Sequence, residues 1–260
     1  MKKILFSGLI IVAIALTSCI KSLICIDGNG NVVTDLRDAD QITKIVSTSF
    51  IDVVYRKADT SGIKLVAESN LISHIVTDVD ANGRLEIRTE PKNRCLDNRV
   101  RIELIVSSPN LNAVDNTGSG SFQGDSLQGA SVIIRSTGSG DLHINYIDSD
   151  NLKIEVTGSA DNDIVKAESV EADISLTGSG DLSLGGSAEN GTTRVTGSGN
   201  AKMSGFSLNT ASAILTGSGN VYTRVTNSIN VVISGSGNLY LTGNPSITQT
   251  ITGSGRIIHQ

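Results

Sequence analysis

The sequence predicts an all-β protein built as a parallel β-helix, or β-solenoid, with about 20 residues per coil. Three observations carry this. A four-residue Thr-Gly-Ser-Gly motif returns at a nearly fixed interval, the apolar residues between its copies alternate with polar ones, and bulky side chains are scarce. Aromatics make up 3% of the 260 residues and Trp is absent, against 27 Gly. A core built from Val, Ile and Leu suits thin, regular layers rather than one bulky centre.

The repeat organises the chain. Thr117-Gly118-Ser119-Gly120 returns at Thr137, Thr157 (as Thr-Gly-Ser-Ala, ending in Ala160), Thr177, Thr196, Thr216, Ser234 and Thr252. Successive spacings are 20, 20, 20, 19, 20, 18 and 18 residues. Fifteen of the 27 Gly sit in these copies, so the glycines are positional and do not form a flexible linker. Ile154 and Val156, Ile174 and Leu176, and Val231 and Ile233 lead into corners; Leu142 and Ile144, Leu182 and Leu184, and Leu239 and Leu241 leave them. Period-two spacing means strands with one buried face. A coil of this kind cannot bury that face alone, and stacking parallel copies ~4.8 Å apart solves the problem. Seven intervals give a rod about 34 Å long. Glycine at the corner is expected to permit positive φ and close backbone approach. Corner Ser and Thr hydroxyls are expected to bond along the stack, and a looser return closes each coil. The crossover rule favours right-handed winding. A β-propeller needs about forty residues per blade, twice this interval.

Upstream of the repeats, Phe50–Arg56, Ile63–Ala67 and Arg101–Val106 read as strands. Val76–Val79 and Arg84–Arg88 flank Asn82-Gly83, a hairpin signal. The chain therefore divides into a leader (1–18), a tether with a first strand (19–40), irregular coils that cap the rod (41–110) and the regular solenoid (111–260). Such a cap is needed because an open solenoid end invites pairing with other chains.

The leader has Lys2 and Lys3 ahead of a 13-residue apolar stretch, Ile4 to Leu16, too short to span a bilayer of about 20 helical residues. It ends in Leu16-Thr17-Ser18-Cys19, which resembles the lipobox of bacterial lipoproteins. That resemblance implies cleavage after Ser18 and a lipid on Cys19, hence a membrane partner reached through the anchor. Losing Lys2 and Lys3 takes the net charge from -5 to -7, so the tethering falls to the lipid rather than to charge. The acidic balance also sets nucleic acid aside as a partner. Outside the cytoplasm Cys25 and Cys95 either form one disulfide, fastening the tether to the body, or remain two free thiols; both readings stand. Their spacing fits no zinc pattern.

With the motif ladder in place, the chain resembles the GIN-domain family, whose label as auto-transporter adhesin heads is a conjecture. The resembling residues are Gly28-Asn29-Gly30 followed by Arg37, the strand Ile51-Asp52-Val53-Val54, Gly83-Arg84-Leu85-Glu86-Ile87, and the corners from Thr117 onward. They span roughly residues 25–260. The resemblance implies a β-helical domain of Bacteroidetes-type envelope lipoproteins, placed at the outer membrane, facing the periplasm or the surface. It brings no catalytic residues and no cofactor.

Candidate sites follow from the stack. The residue after each corner is Asp141, Asp161 and Asp181, then Asn200, Asn220 and Asn238. Stacked amides bond to each other, whereas stacked carboxylates repel unless a cation such as calcium lies between them or each accepts backbone N–H groups. The N–H reading is the simpler, so no metal is assigned. An enzyme of the polysaccharide-acting type would need paired carboxylates in a cleft walled by long loops. Coils of 18 to 20 residues leave no such loop, and His74, His143 and His259 lie near no nucleophile motif. Tyr146, Tyr222 and Tyr240 are the aromatic candidates for contact with a glycan. The sequence thus points to a non-catalytic, adhesin-like module for a glycan or protein ligand. A self-assembling envelope protein, a homo-oligomer joined through the edge at Arg256–His259, is the alternative.

Overall fold

The computed structural model describes residues 25–260 except Asn93. The leader and Cys19 lie outside the described residues. The fold is the expected all-β parallel solenoid.

β1 (Ile26–Asp27) lies parallel to β8 (Leu96–Asp97) at the periphery. The first full rung uses β3 (Lys44–Ser47), a turn, and β4 (Asp52–Lys57). The chain then departs through residues 58–112 and returns on top of this rung. β10 (Ala113–Asn116) pairs with β3, and β11 (Phe122–Ser136) begins on β4 with Phe122 opposite Val53. Above it, β12 (Leu142–Val156), β13 (Asn162–Leu176), β14 (Leu182–Val195), β15 (Ala201–Leu215) and β16 (Val221–Ile233) stack in parallel. The last coil is β17 (Leu239–Thr242) and β18 (Ser246–Ile251), both on β16, with β19 (Ile257–His259) on β17.

The strands of each rung run almost from corner to corner. In β12 the buried residues are Leu142 and Ile144, then Ile147 and Ser149, then Leu152, Ile154 and Val156. Strict alternation breaks twice, and each break is a bend, because a strand keeps one face inward only at period two. Each rung therefore has three sides, and the expected loose return is a paired third side. Columns such as Ile134, Ile154 and Ile174, or Leu182, Ala201 and Val221, are each at most 1% exposed. Every fully buried Leu or Ile contributes roughly 1.5–3 kcal/mol.

The corner glycines have one physical cause. A Cβ on Gly118 would lie 1.8 Å from the carbonyl oxygen of Ser49, and one on Gly217 would lie 2.0 Å from that of Gly197. Each corner glycine of the repeats points its missing side chain at the carbonyl one rung below; at Ala160, 1% exposed, a methyl group stands in place of the second glycine. The expected positive φ is not the reason: positive φ occurs at Gly30, Gly83, Gly129, Gly186 and Gly243, none of them in a corner. The corner Ser and Thr hydroxyls are largely exposed, and the corners are joined by backbone bonds such as Ser218 N–H to the Gly197 carbonyl, 3.0 Å.

The excursion forms the cap. β5 (Gly62–Glu68) lies antiparallel between β2 (Val32–Asp38) and β9 (Glu103–Ser108), and β9 runs parallel to β4. β6 (Ile75–Val79) and β7 (Arg84–Thr89) form the Asn82-Gly83 hairpin, with β7 parallel to β3. Residues singled out by the family resemblance hold this cap. Arg37 donates to the Ile75 carbonyl (2.8 Å) and to Thr77 Oγ1 (2.7 Å). Glu68, fully buried, accepts from the backbone N–H groups of Gly30 and Arg99. A Cβ on Gly28 would sit 2.2 Å from the Glu68 carboxylate, so that glycine makes room for it. Cys25 and Cys95 are joined as a disulfide, with Cα atoms 4.5 Å apart.

Candidate ligand-binding face

The residues that follow the corners form a column on the rod. It holds Asp141, Asp161, Asp181, Asn200, Asn220 and Asn238, and it extends downward to Ser121 and Asp52. Except at Ser121, whose hydroxyl donates to Asp52 Oδ1 at 2.6 Å, a side-chain oxygen accepts from the backbone N–H of the same position one rung higher. The distances are 2.8 Å for Ser121 on Asp52, 3.0 Å for Asp161 on Asp141, 3.4 Å for Asp181 on Asp161 and 2.7 Å for Asn200 on Asp181. The amides continue the pattern, with Asn220 on Asn200 at 3.1 Å, Asn238 on Asn220 at 2.9 Å and Arg256 on Asn238 at 3.0 Å.

This arrangement explains how the aspartates tolerate stacking. One oxygen of each faces an N–H dipole rather than the next carboxylate. At Asp181 the second oxygen also pairs with Lys202 Nζ at 2.7 Å. Burial alone would raise the Asp181 pKa, but the Lys202 and Asn200 bonds outweigh it and hold it below the ordinary carboxylate value. Asp52 behaves alike: burial opposes ionisation, and the Ser121 hydroxyl and N–H with Arg101 reverse the balance. Among the described residues no group of three His, Cys, Asp or Glu side chains is arranged to hold a metal ion. The N–H reading of the aspartates is the one this geometry fits. Asp52 escaped the sequence reading because its corner, Thr48-Ser49-Phe50-Ile51, has no glycine.

Two residues beyond the Asp/Asn column, a second outward column runs Gln123, His143, Asp163, Ser183, Lys202, Tyr222, Tyr240 and Ile258. Between the two columns lies a groove of about 430 Å³, lined among others by Asp141, Asp161, Asp181, His143, Asp163 and Lys202. It forms without long loops, from the relief of the stacked side chains themselves. A second hollow of about 290 Å³, lined by Lys202, Ser204, Gly205 and Tyr222, adjoins it at Lys202.

Within the groove, His143 Nδ1 lies 2.9 Å from Asp163 Oδ2 and its Nε2 lies 3.0 Å from Asn145 Oδ1. Ser183 sits beyond Asp163, two rungs from His143. At roughly 4.8 Å per rung the imidazole cannot take the serine proton. Tyr222 and Tyr240 stack with centroids 4.5 Å apart and rings within 5° of parallel. Tyr146 stands apart on another side, donating to Glu168 (2.9 Å), which Lys166 also contacts (2.6 Å). His74 belongs to the cap, where its Nδ1 lies 3.0 Å from the Glu90 carbonyl, and His259 lies in β19. The sequence named most of these residues singly; it gave no sign of the hollow beside Tyr222.

Comparison with known proteins places this geometry. A family described as "Putative auto-transporter adhesin, head GIN domain" matches residues 41–164 and again 145–245. Among solved structures, a "putative adhesin" from Parabacteroides merdae ATCC 43184 superposes with a TM-score of 0.84 at 21% identity. That alignment covers 90% of this chain and 98% of the other. A "putative lipid binding protein" from Parabacteroides distasonis ATCC 8503 gives 0.83 at 25% identity, covering 90% and 99%. A "putative adhesin" from Bacteroides fragilis NCTC 9343 gives 0.66 at 19% identity, covering 90% and 100%. No curated protein matches. The family match spans most of the chain, and the solved neighbours share its fold: the chain belongs to the GIN-domain family.

Proposed function

We propose that the chain is a non-catalytic lipoprotein of the cell envelope, anchored through Cys19, whose solenoid acts as an adhesin-like binding module for a glycan or protein ligand. The observation that carries this reading is the groove and hollow on one side of a stiff ladder, where outward side chains are fixed at rung spacing. A rigid face loses little conformational freedom on binding. The adhesin names of the family and of its structural neighbours agree with it. The groove pairs His143 with an acid but brings no nucleophile within its reach, which favours binding over catalysis. The six residue-to-residue steps from Cys19 to Cys25 reach at most about 20 Å when extended, so the cap would stay close to the outer membrane that holds the lipid.

Two measurements on cells test it. Labelled fatty acid should enter wild type and not Cys19→Ala, and the variant should leave the membrane fraction. Cells carrying the wild type should adhere to mucin or matrix-coated surfaces better than cells lacking the protein. Equal adhesion would count against the binding role, and label in Cys19→Ala would count against the anchor. The self-assembly reading draws on Ile251 and Ile258, which are 38% and 36% exposed on the last coil. Light scattering that finds a monomer in both wild type and Ile257→Pro would dismiss it.

A further inference from the structure

Deepening the binding-module reading, on which it rests, we infer that the hollow between Lys202 and Tyr222 is a subsite for a neutral sugar ring. The free face of Tyr222 would receive the apolar face of a pyranose. One face of Tyr222 is covered by Tyr240, which fixes the ring as a platform. On its other side the same position one rung below is Lys202. The Lys202 ammonium is drawn away to Asp181, 2.7 Å distant on the next rung down, and the gap it leaves is the hollow.

The floor of the hollow is independent support. Gly205 is exposed and is not demanded by the fold. A Cβ there would meet Gly185 Cα at 3.7 Å and the Leu184 oxygen at 3.9 Å, ordinary contact, and its φ is not positive. The corner glycines, by contrast, face carbonyl oxygens at about 2 Å. A bare backbone at 205 therefore serves open space. The stacking register also breaks beside it, between Ser183 and Gly186 and between Met203 and Ser207, and such irregularities re-aim side chains next to functional sites.

The rim selects the ligand class. Ser204 offers a hydroxyl, Lys202 an ammonium, and Arg224, whose Nε donates to the Ser204 carbonyl at 3.2 Å, keeps other N–H groups for a ligand. A sugar ring has the matching division, with C–H bonds on its face and hydroxyls at its edge. Past Lys202 the chain of sugars would enter the adjoining groove. Asp141, Asp161, Asp163 and Asp181 there accept hydroxyl protons and repel carboxylates or sulfates. The ligand is thus a neutral, linear oligosaccharide.

The test titrates the mature protein with neutral hexasaccharides of β-1,4-glucose, β-1,4-xylose, β-1,4-N-acetylglucosamine and α-1,4-glucose, with hexagalacturonate as the anionic control, by calorimetry. At least one neutral hexasaccharide should bind, and more tightly than hexagalacturonate. Tyr222→Ala should weaken that binding about tenfold or more. Gly205→Leu, which fills the floor without touching the core, should do the same while melting like wild type. Tyr146→Ala should change nothing. The subsite is overturned if no neutral sugar binds, if hexagalacturonate binds better, or if Gly205→Leu binds as wild type does. Failure of the sugars with adhesion to coated surfaces intact removes the subsite and leaves the binding module; loss of both removes both.

Discussion

Glu68 shows how one buried group can fasten a whole segment. Its carboxylate holds the N–H groups of Gly30 and Arg99, and Gly28 has no side chain so that the two can meet. Burial would raise its pKa, yet the backbone donors win and keep it below the usual value. Asp52 and Asp181 are shifted the same way. A carboxylate with a lowered folded pKa adds stability that is complete above its unfolded value, near about 4, and disappears as pH falls through the folded value. The melting temperature should therefore be level from neutral pH down to about 5 and drop below about 4. Glu68→Gln should melt lower at pH 7 and lose part of that acid dependence. An unchanged pH profile in thermal melts of the variant would remove Glu68 from this role.

At the scale of the element, the column after the corners acts as a continuous clamp. Asn220 receives the Asn238 N–H at 2.9 Å and gives its own amide to Asn200 at 3.1 Å. Asn220→Ala removes both bonds and should cost about 1–2 kcal/mol, whereas Asn220→Asp keeps the acceptor and should cost less. Denaturant unfolding of the two variants checks the order; equal losses would mean that the acceptor is idle. This column was legible in the sequence because Asp or Asn comes immediately after six of the eight motif copies. The first rung was not, since β7 and β9 but no repeat corner lie beneath it, and Ser49 and Ile51 stand where the corner above carries Gly118 and Gly120. The third side was hidden for a different reason. Its bends shift the alternation of buried residues, as between Ser149 and Leu152, and blur the period-two signal. The hollow depends on where the Lys202 head turns and on two register breaks, both decided by neighbours in space and not by neighbours in sequence.

For the whole molecule, the ladder is what makes a surface. Each rung touches chiefly the rungs above and below, so stability is close to a sum of rung and interface contributions, and outward columns hold their spacing along the rod. The Cys25–Cys95 bridge closes a 70-residue separation and ties the start of the described chain to the cap, at the end nearest the proposed anchor. The proposed binding strip then lies along one side of a rod that the sequence length and repeat interval already outlined. All of this depends on the first glycine of a corner being required where a rung lies beneath it. A comparison of Gly217→Ala with Gly205→Ala by thermal or denaturant unfolding measures that directly. Gly217→Ala sets a Cβ 2.0 Å from the Gly197 oxygen and should lose about 3 kcal/mol. Gly205→Ala meets only ordinary contacts and should stay within about 0.5 kcal/mol of wild type or gain slightly. Equal stabilities for the two variants would contradict the stacked-corner account.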